Sequence, residues 1–294
     1  MHRNRHMTKV MSGRASRWKR QKNPARIFLQ PRDREIMVAV YSHRMLTRTQ
    51  IEKLFNFKCT RRVNSRLRKL YDHHYLSRYF LPTIRGSAKA IYYLGTKGVM
   101  VVAEELGIDL NLIKQKCKST SKLSELFLSH TLELNDIRIA FSLGLENQPE
   151  MELERWINDN DCKQEYRAAG LGKDVIRRFR PDGYFRFWYQ GKLYSFFLEH
   201  DRSTMTLGRF ASKVQSYIDF DVTGYYRQRF GVKFFSVLVI TKTCERLYNL
   251  KKAVETVTDK QFWFTTLERV TPNTVFDQIW QRAGRNEYYP LIRL

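Results

Sequence analysis

Apolar positions along this chain change their period, and the changes divide it. Near the front, Ile36, Met37, Val40 and Tyr41 recur at one-face helical spacing. A second helix is predicted within 46–55, where Thr47 and Gln50 fit a capping box and Ile51, Leu54 and Phe55 form a buried stripe. A third occupies 60–70, with Val63, Leu67 and Leu70 inward. Two β-rich runs at 75–82 and 90–95 then make a hairpin whose loop carries Arg85 and Lys89. Three short helices followed by such a hairpin describe a winged helix-turn-helix, whose third helix enters a major groove.

Further on, Thr96 caps a helix ending near Gly107, and the lysine-rich stretch 109–122 reads as a linker or loop. Leu126, Phe127, His130, Leu134, Ile137, Ala140 and Phe141 give a long amphipathic helix over 123–143. Residues 151–157 suit a strand, with helix nearly as well supported. Aromatic runs at 175–189 and 192–200, split by Gln190-Gly191, predict a hairpin. The stretch 204–220 is an amphipathic helix with Phe210, Val214, Tyr217 and Ile218 inward. The run 234–240 is apolar throughout, as expected of a central parallel strand. A helix at 245–257 and a strand at 261–265 follow, and the tail has no clear assignment. The fold class is therefore α/β: an N-terminal winged helix-turn-helix, then a mixed-sheet α/β domain. The expected divisions are a disordered basic arm at 1–26, the winged helix at 27–108, the linker at 109–122 and the second domain at 123–294.

Charge sharpens this division. The first 100 residues hold 24 Lys or Arg against 4 Asp or Glu, whereas the remaining 194 hold 29 against 25. Nearly all of the net +24 therefore lies at the front, as in a module held against a polyanion. Double-stranded DNA is the favoured partner, with an anionic membrane surface or a ribosomal contact as alternatives. Arg61, Arg62, Asn64 and Arg66 are the expected base-reading residues, because the start of a recognition helix reaches base edges. Arg68, Lys69, Arg78 and Arg85 are the expected phosphate contacts. A protein-interaction or dimerisation module is the other use of this arrangement, so a homodimer stays open.

No apolar run approaches the ~20 residues needed to span a bilayer, and the basic start lacks the apolar core of a secretory signal. Cys59, Cys117, Cys162 and Cys244 have no paired spacing, which argues against a zinc site or a disulfide framework. A cytoplasmic, nucleoid-associated protein is expected. The candidate chemistry lies in the aromatic hairpin. Asp182 stands at one outer end and Glu199, His200 and Asp201 at the other, so antiparallel pairing brings carboxylates 182 and 199 together, where they could share a divalent metal. The plainer reading is two exposed acids at strand ends. His200 alternates with its neighbours and should face the other side as a packing residue. His130 reads as a core-edge histidine.

Two resemblances build on these residues. The order of the winged helix, Arg180-Pro-Asp182-Gly and Phe197-Leu-Glu199-His-Asp201-Arg202-Ser203-Thr204 resembles the replication-relaxation family of plasmids, phages and integrative elements, over residues 30–265. That resemblance implies work in replication, mobilisation or DNA relaxation, with a relaxase, a replication initiator or another mobile-element protein as partner. The second half also resembles the PD-(D/E)XK, or restriction-endonuclease-like, fold. That likeness implies Asp182 and Glu199 as acids for Mg²⁺ or Mn²⁺, with Glu133 as a candidate helical acid. Asp201 stands where that family has its lysine, so positive charge must come from elsewhere. Lys213 on the next helix is the candidate, with Arg202 as an alternative and Gln215 and Tyr217 toward the substrate strand. Asp182, Glu199, Asp201 and Lys213 are thus the candidate catalytic set, and the first three the candidate metal ligands.

Three functions follow. The leading one is a DNA-binding accessory protein whose nuclease-like domain no longer cuts, its acids paired with arginines such as Arg178, Arg180 or Arg202. The alternatives are a Mg²⁺-dependent endonuclease or nickase, and a transcriptional repressor.

Overall fold

The computed structural model describes residues 16–81, 89–118, 124–168 and 175–292. The chain forms two compact units, Met1–Glu125 and Leu126–Leu294.

The first unit runs α1 (Pro31–Ser42), β1 (Leu46–Thr47), α2 (Arg48–Leu54), α3 (Thr60–Asp72), β2 (Leu76–Phe80), β3 (Ala90–Leu94), α4 (Thr96–Leu106) and α5 (Leu110–Lys118). Strand β3 pairs antiparallel with both β1 and β2. The capping box starts α2 as predicted: the Gln50 amide donates to Thr47 Oγ1 at 3.2 Å and the Thr47 amide to Gln50 Oε1 at 2.9 Å. Val63, Leu67 and Leu70 of α3 are fully buried.

Two expected boundaries change. Residues 110–118 are helix α5 rather than linker, because buried Ile113 anchors that turn against α4. The later part of the basic arm is also ordered. The Trp18 ring meets Phe80 at 4.5 Å, Arg68 donates to the carbonyls of Ser16 (2.5 Å) and Lys19 (3.0 Å), and the Gln21 amide donates to Asp72 Oδ1 at 3.0 Å. These contacts replace the backbone's bonds to water, so 16–26 lies along α3 and β2. Residues 1–15 and the wing loop with Arg85 lie outside the described residues.

The second unit runs α6 (Glu125–Glu146), β4 (Met151–Asn158), α7 (Asp159–Cys162), β5 (Gln164–Ala168), β6 (Val175–Phe179), β7 (Gly183–Tyr189), β8 (Lys192–Asp201), α8 (Leu207–Val222), α9 (Tyr225–Phe230), β9 (Ser236–Thr241), α10 (Cys244–Glu255), β10 (Phe262–Thr266), β11 (Trp280–Arg282) and β12 (Tyr288–Tyr289). Seven strands form one mixed sheet in the order β12-β11-β10-β9-β8-β7-β4. The apolar strand β9 sits centrally and parallel to both β8 and β10. The turn Gln190-Gly191 has both residues at positive φ (47° and 70°), as a two-residue type I′ hairpin requires. It fixes the register that sets Gly183 opposite Leu198.

The predicted long strand 175–189 is instead broken at Pro181-Asp182. Strand β6 leaves to pair with β5 in a separate two-stranded sheet, and β7 begins at Gly183. The break matters, because Asp182 stands just before β7, its amide still donating to the Leu198 carbonyl at 2.9 Å and its carboxylate at the strand mouth.

Side-chain alternation gives the sheet two apolar faces. Tyr184, Phe197, Val237 and Val239 pack with Phe210, Tyr217 and Phe220 of α8 and Leu250 of α10. Phe185, Phe187, Phe196, Leu198 and Ile240 pack with Phe141 of α6 and with Phe276 and Trp280 from the tail. The tail approaches α6 so closely at Gly144 that a Cβ there would stand 2.7 Å from Val275 Cγ1. Among the described residues, no helix is long and apolar enough to cross a membrane.

Candidate functional site

Four elements of the second unit converge at the open end of the β7–β8 hairpin, around a cleft of about 400 Å³ lined by His130, Asp182, Glu199, Asp201, Arg202 and Lys213. The register brings Asp182 beside the end of β8, where the His200 amide donates to its Oδ2 at 2.8 Å. The other oxygen faces His130 Nε2 of α6 at 3.4 Å. Burial opposes ionisation of Asp182, but Lys213, His130 and the His200 amide outweigh it and hold the carboxyl well below the usual carboxylate range.

Glu199 and Asp201 alternate to the face covered by α8 and α10, and both are buried. Glu199 Oε2 is paired with Lys213 Nζ, and its Oε1 accepts from the Tyr217 hydroxyl at 2.5 Å. Burial, with Asp182 adding like charge against the pull of Lys213, pushes the Glu199 carboxyl up to about 7. Lys213 is desolvated too, yet Glu199 and Asp182 more than compensate and raise its pKa, so the ammonium persists. Lys213 and Tyr217 lie four residues apart on α8, whose start is capped by Thr206.

Asp201 belongs to a different clamp. Arg246, in the first turn of α10, grips it with two donors, Nε to Oδ1 at 2.8 Å and Nη2 to Oδ2 at 3.0 Å. The Ser203 amide adds a third bond at 2.8 Å. On the opposite face, His200 is not a bare packing residue. Its ring lies between the Ile240 carbonyl (3.1 Å) and Glu133 of α6 (2.8 Å). Glu133 also pairs with Arg202 at 2.8 Å and Lys242 at 2.6 Å. Burial resists its charge, but His200, Lys242 and Arg202 win and lower it to about 2.

The structure therefore brings Asp182, Glu199 and Lys213 together as the resemblance implies, and adds His130 and Tyr217. It removes Asp201 to Arg246 and Glu133 to the other face. The partners suggested from sequence are not the ones used, since Arg178 pairs with Glu165 and Arg202 with Glu133. Gln215 donates to Asp219 at 2.9 Å. No local pattern marks Arg246 or Lys242, because their partners lie 45 and 109 positions earlier in the chain. The expected metal does not fit this donor set. Both Glu199 oxygens accept bonds already, Asp201 is chelated by a guanidinium, and a lysine ammonium supplies the cation beside Glu199. Among the described residues, no group of three or more His, Cys, Asp or Glu side chains could hold a metal ion.

In the first unit the eight expected DNA contacts separate. Arg66 is bound through Nε to Asp33 Oδ1 at 2.6 Å and through Nη2 to Asp33 Oδ2 and the Phe28 carbonyl. Because Asp33 is buried in α1, this pair fastens α3 to α1. Arg68 holds Asp72 and the chain before it, and Arg78 donates to the Arg17 carbonyl and stacks at 4.0 Å over Tyr71. Arg61, Arg62, Asn64 and Lys69 are exposed on α3.

A unit of five helices and a small antiparallel sheet, followed by a mixed-sheet α/β unit with an acid-and-lysine rim, is what the described residues form. The chain belongs to the replication-relaxation family, whose profile matches residues 37–234. No curated protein matches it. Among solved structures, the restriction endonuclease FokI is similar at 12% identity and a TM-score of 0.31, over 81% of this chain and 42% of FokI. This chain thus spans less than half of FokI's length, and a likeness of that size bears on no residue of the rim.

Proposed function

We propose that this protein is a duplex-DNA-binding accessory factor of mobile-element replication or mobilisation, and that its acidic rim is a structural tie rather than a cutting centre. The observation that carries the first half is the division of labour on α3. Arg66 and Arg68 are spent on internal pairs, while Arg61, Arg62, Asn64 and Lys69 remain exposed on one helix. Such a surface supports groove entry by the start of the helix and phosphate contact further along it. The second half is supported by the pairing of every rim carboxylate with a protein donor. Those bonds tie α6, α8 and α10 to the strand ends. Buried ion pairs of this kind hold geometry, and removing one partner leaves an uncompensated charge.

Fluorescence anisotropy of the full chain on labelled duplex DNA across a salt series tests the binding half. The expected log–log slope is roughly −3 or steeper, from three or more phosphates at about −0.9 each. Affinity that ignores salt, or no binding at low salt, would contradict it. A second reading, phosphodiester hydrolysis, is favoured by one feature. Lys213 restores a cation next to Glu199 and Asp182 although Asp201 occupies the usual lysine position.

A further inference from the structure

A second cleft, of about 670 Å³, opens at the turn end of the same hairpin, where β7 and β8 meet the loop between α9 and β9. Its Trp188 stands six positions beyond Asp182 of the acidic rim, about 20 Å at the usual strand rise. Trp188, Tyr194 and Phe234 line the cleft with the lysines Lys192 and Lys233, and no carboxylate does. Phe234 is 79% exposed and Trp188 40% exposed. Both lysines are exposed as well.

An exposed Phe of this kind calls for a reason, and a loose loop is not one. The Tyr226 hydroxyl donates to the Lys233 carbonyl at 2.7 Å, and the Ser195 hydroxyl donates to the Phe234 carbonyl at 2.5 Å. Phe235 is buried in the core beside them. The backbone on both sides of Phe234 is therefore fixed, and its ring is presented in place.

We propose that this cleft binds single-stranded DNA, with unpaired bases stacking on Phe234 and Trp188 and the backbone phosphates meeting Lys192 and Lys233. Every base offers a π-face, so rigid rings beside cations suit a single strand of any sequence. A duplex hides those faces in its own stack. A purely apolar protein partner would gain nothing from two lysines in the lining. The choice of DNA over RNA rests on the duplex-binding reading of the first unit.

The test uses the full chain, fluorescein-labelled oligothymidylate and a labelled duplex, in the parent and in an R61E/R62E background. Phe234→Ala and the double change K192E/K233E should each weaken oligothymidylate binding about five-fold or more, the lower end of one lost stack. Duplex affinity of these variants should match the parent. In the R61E/R62E background the duplex should be lost and the oligothymidylate kept, so the two readings fail separately. All these side chains are exposed, so the variants should melt with the parent. Equal oligothymidylate affinity in the variants would overturn the proposal. So would tighter binding of oligouridylate, or a dimer in light scattering that Phe234→Ala dissolves while oligothymidylate affinity stays the same.

Discussion

Changing Arg61 and Arg62 together to Glu is expected to weaken duplex binding by about 100-fold or more, since each good contact of this type contributes ~1–3 kcal/mol. Reversal also sets two carboxylates against the phosphates, so the salt slope should flatten. The two arginines occupy the first turn of α3 and are exposed, and no described hydrogen bond or ion pair uses their side chains. The variant should therefore melt like the parent. Arg66→Ala supplies the contrast. It strips buried Asp33 of its guanidinium and should lower the melting temperature. An unchanged electrophoretic shift for the Arg61/Arg62 variant would remove α3 as the reading helix.

Glu133→Gln should destabilise the second unit. The carboxylate joins α6 to His200 at the end of β8, to Arg202 just beyond it and to Lys242 just after β9. Its pKa falls from an ordinary 4.5 to about 2, so its stabilisation is complete above pH ~4.5 and is lost as pH falls through about 2. Solvent screening at this part-exposed cluster leaves about 1 kcal/mol of that shift, or roughly 2–4 °C in melting temperature for a unit of this size. The gap between parent and variant should be full at pH 7 and narrow steadily on acidification below 4.5. Equal melting at pH 7, or a gap that acid does not narrow, would show that the cluster holds nothing together.

Much of this architecture is legible in the sequence because it is written in local periods. The Val63, Leu67 and Leu70 stripe, the Thr47–Gln50 box, the Gln190-Gly191 turn and the apolar run of β9 are all short-range signals, and each survives folding. The misplacements come from long-range contacts. Helix α5 packs against α4 with Ile113 buried, although its lysines read as linker. Strand β6 leaves the main sheet because Pro181 cannot donate to the ladder and β5 offers another edge. Ion pairing is the least legible layer. Placing Asp182 with Glu199 followed from antiparallel pairing of the hairpin, and Lys213 beside them from a resemblance and from helix position. One helix alone cannot reveal that Asp33, 33 positions earlier in the chain, lies beneath Arg66.

The rim itself decides whether this chain holds DNA or cuts it. Supercoiled plasmid incubated with the full chain and Mg²⁺ or Mn²⁺, in parallel with the Asp182→Ala and Glu199→Ala variants, asks that directly. The account predicts that plasmid is bound and stays covalently closed with all three proteins. Nicked circles from the parent that vanish in both variants would contradict it, and would make Asp182, Glu199 and Lys213 a working active site.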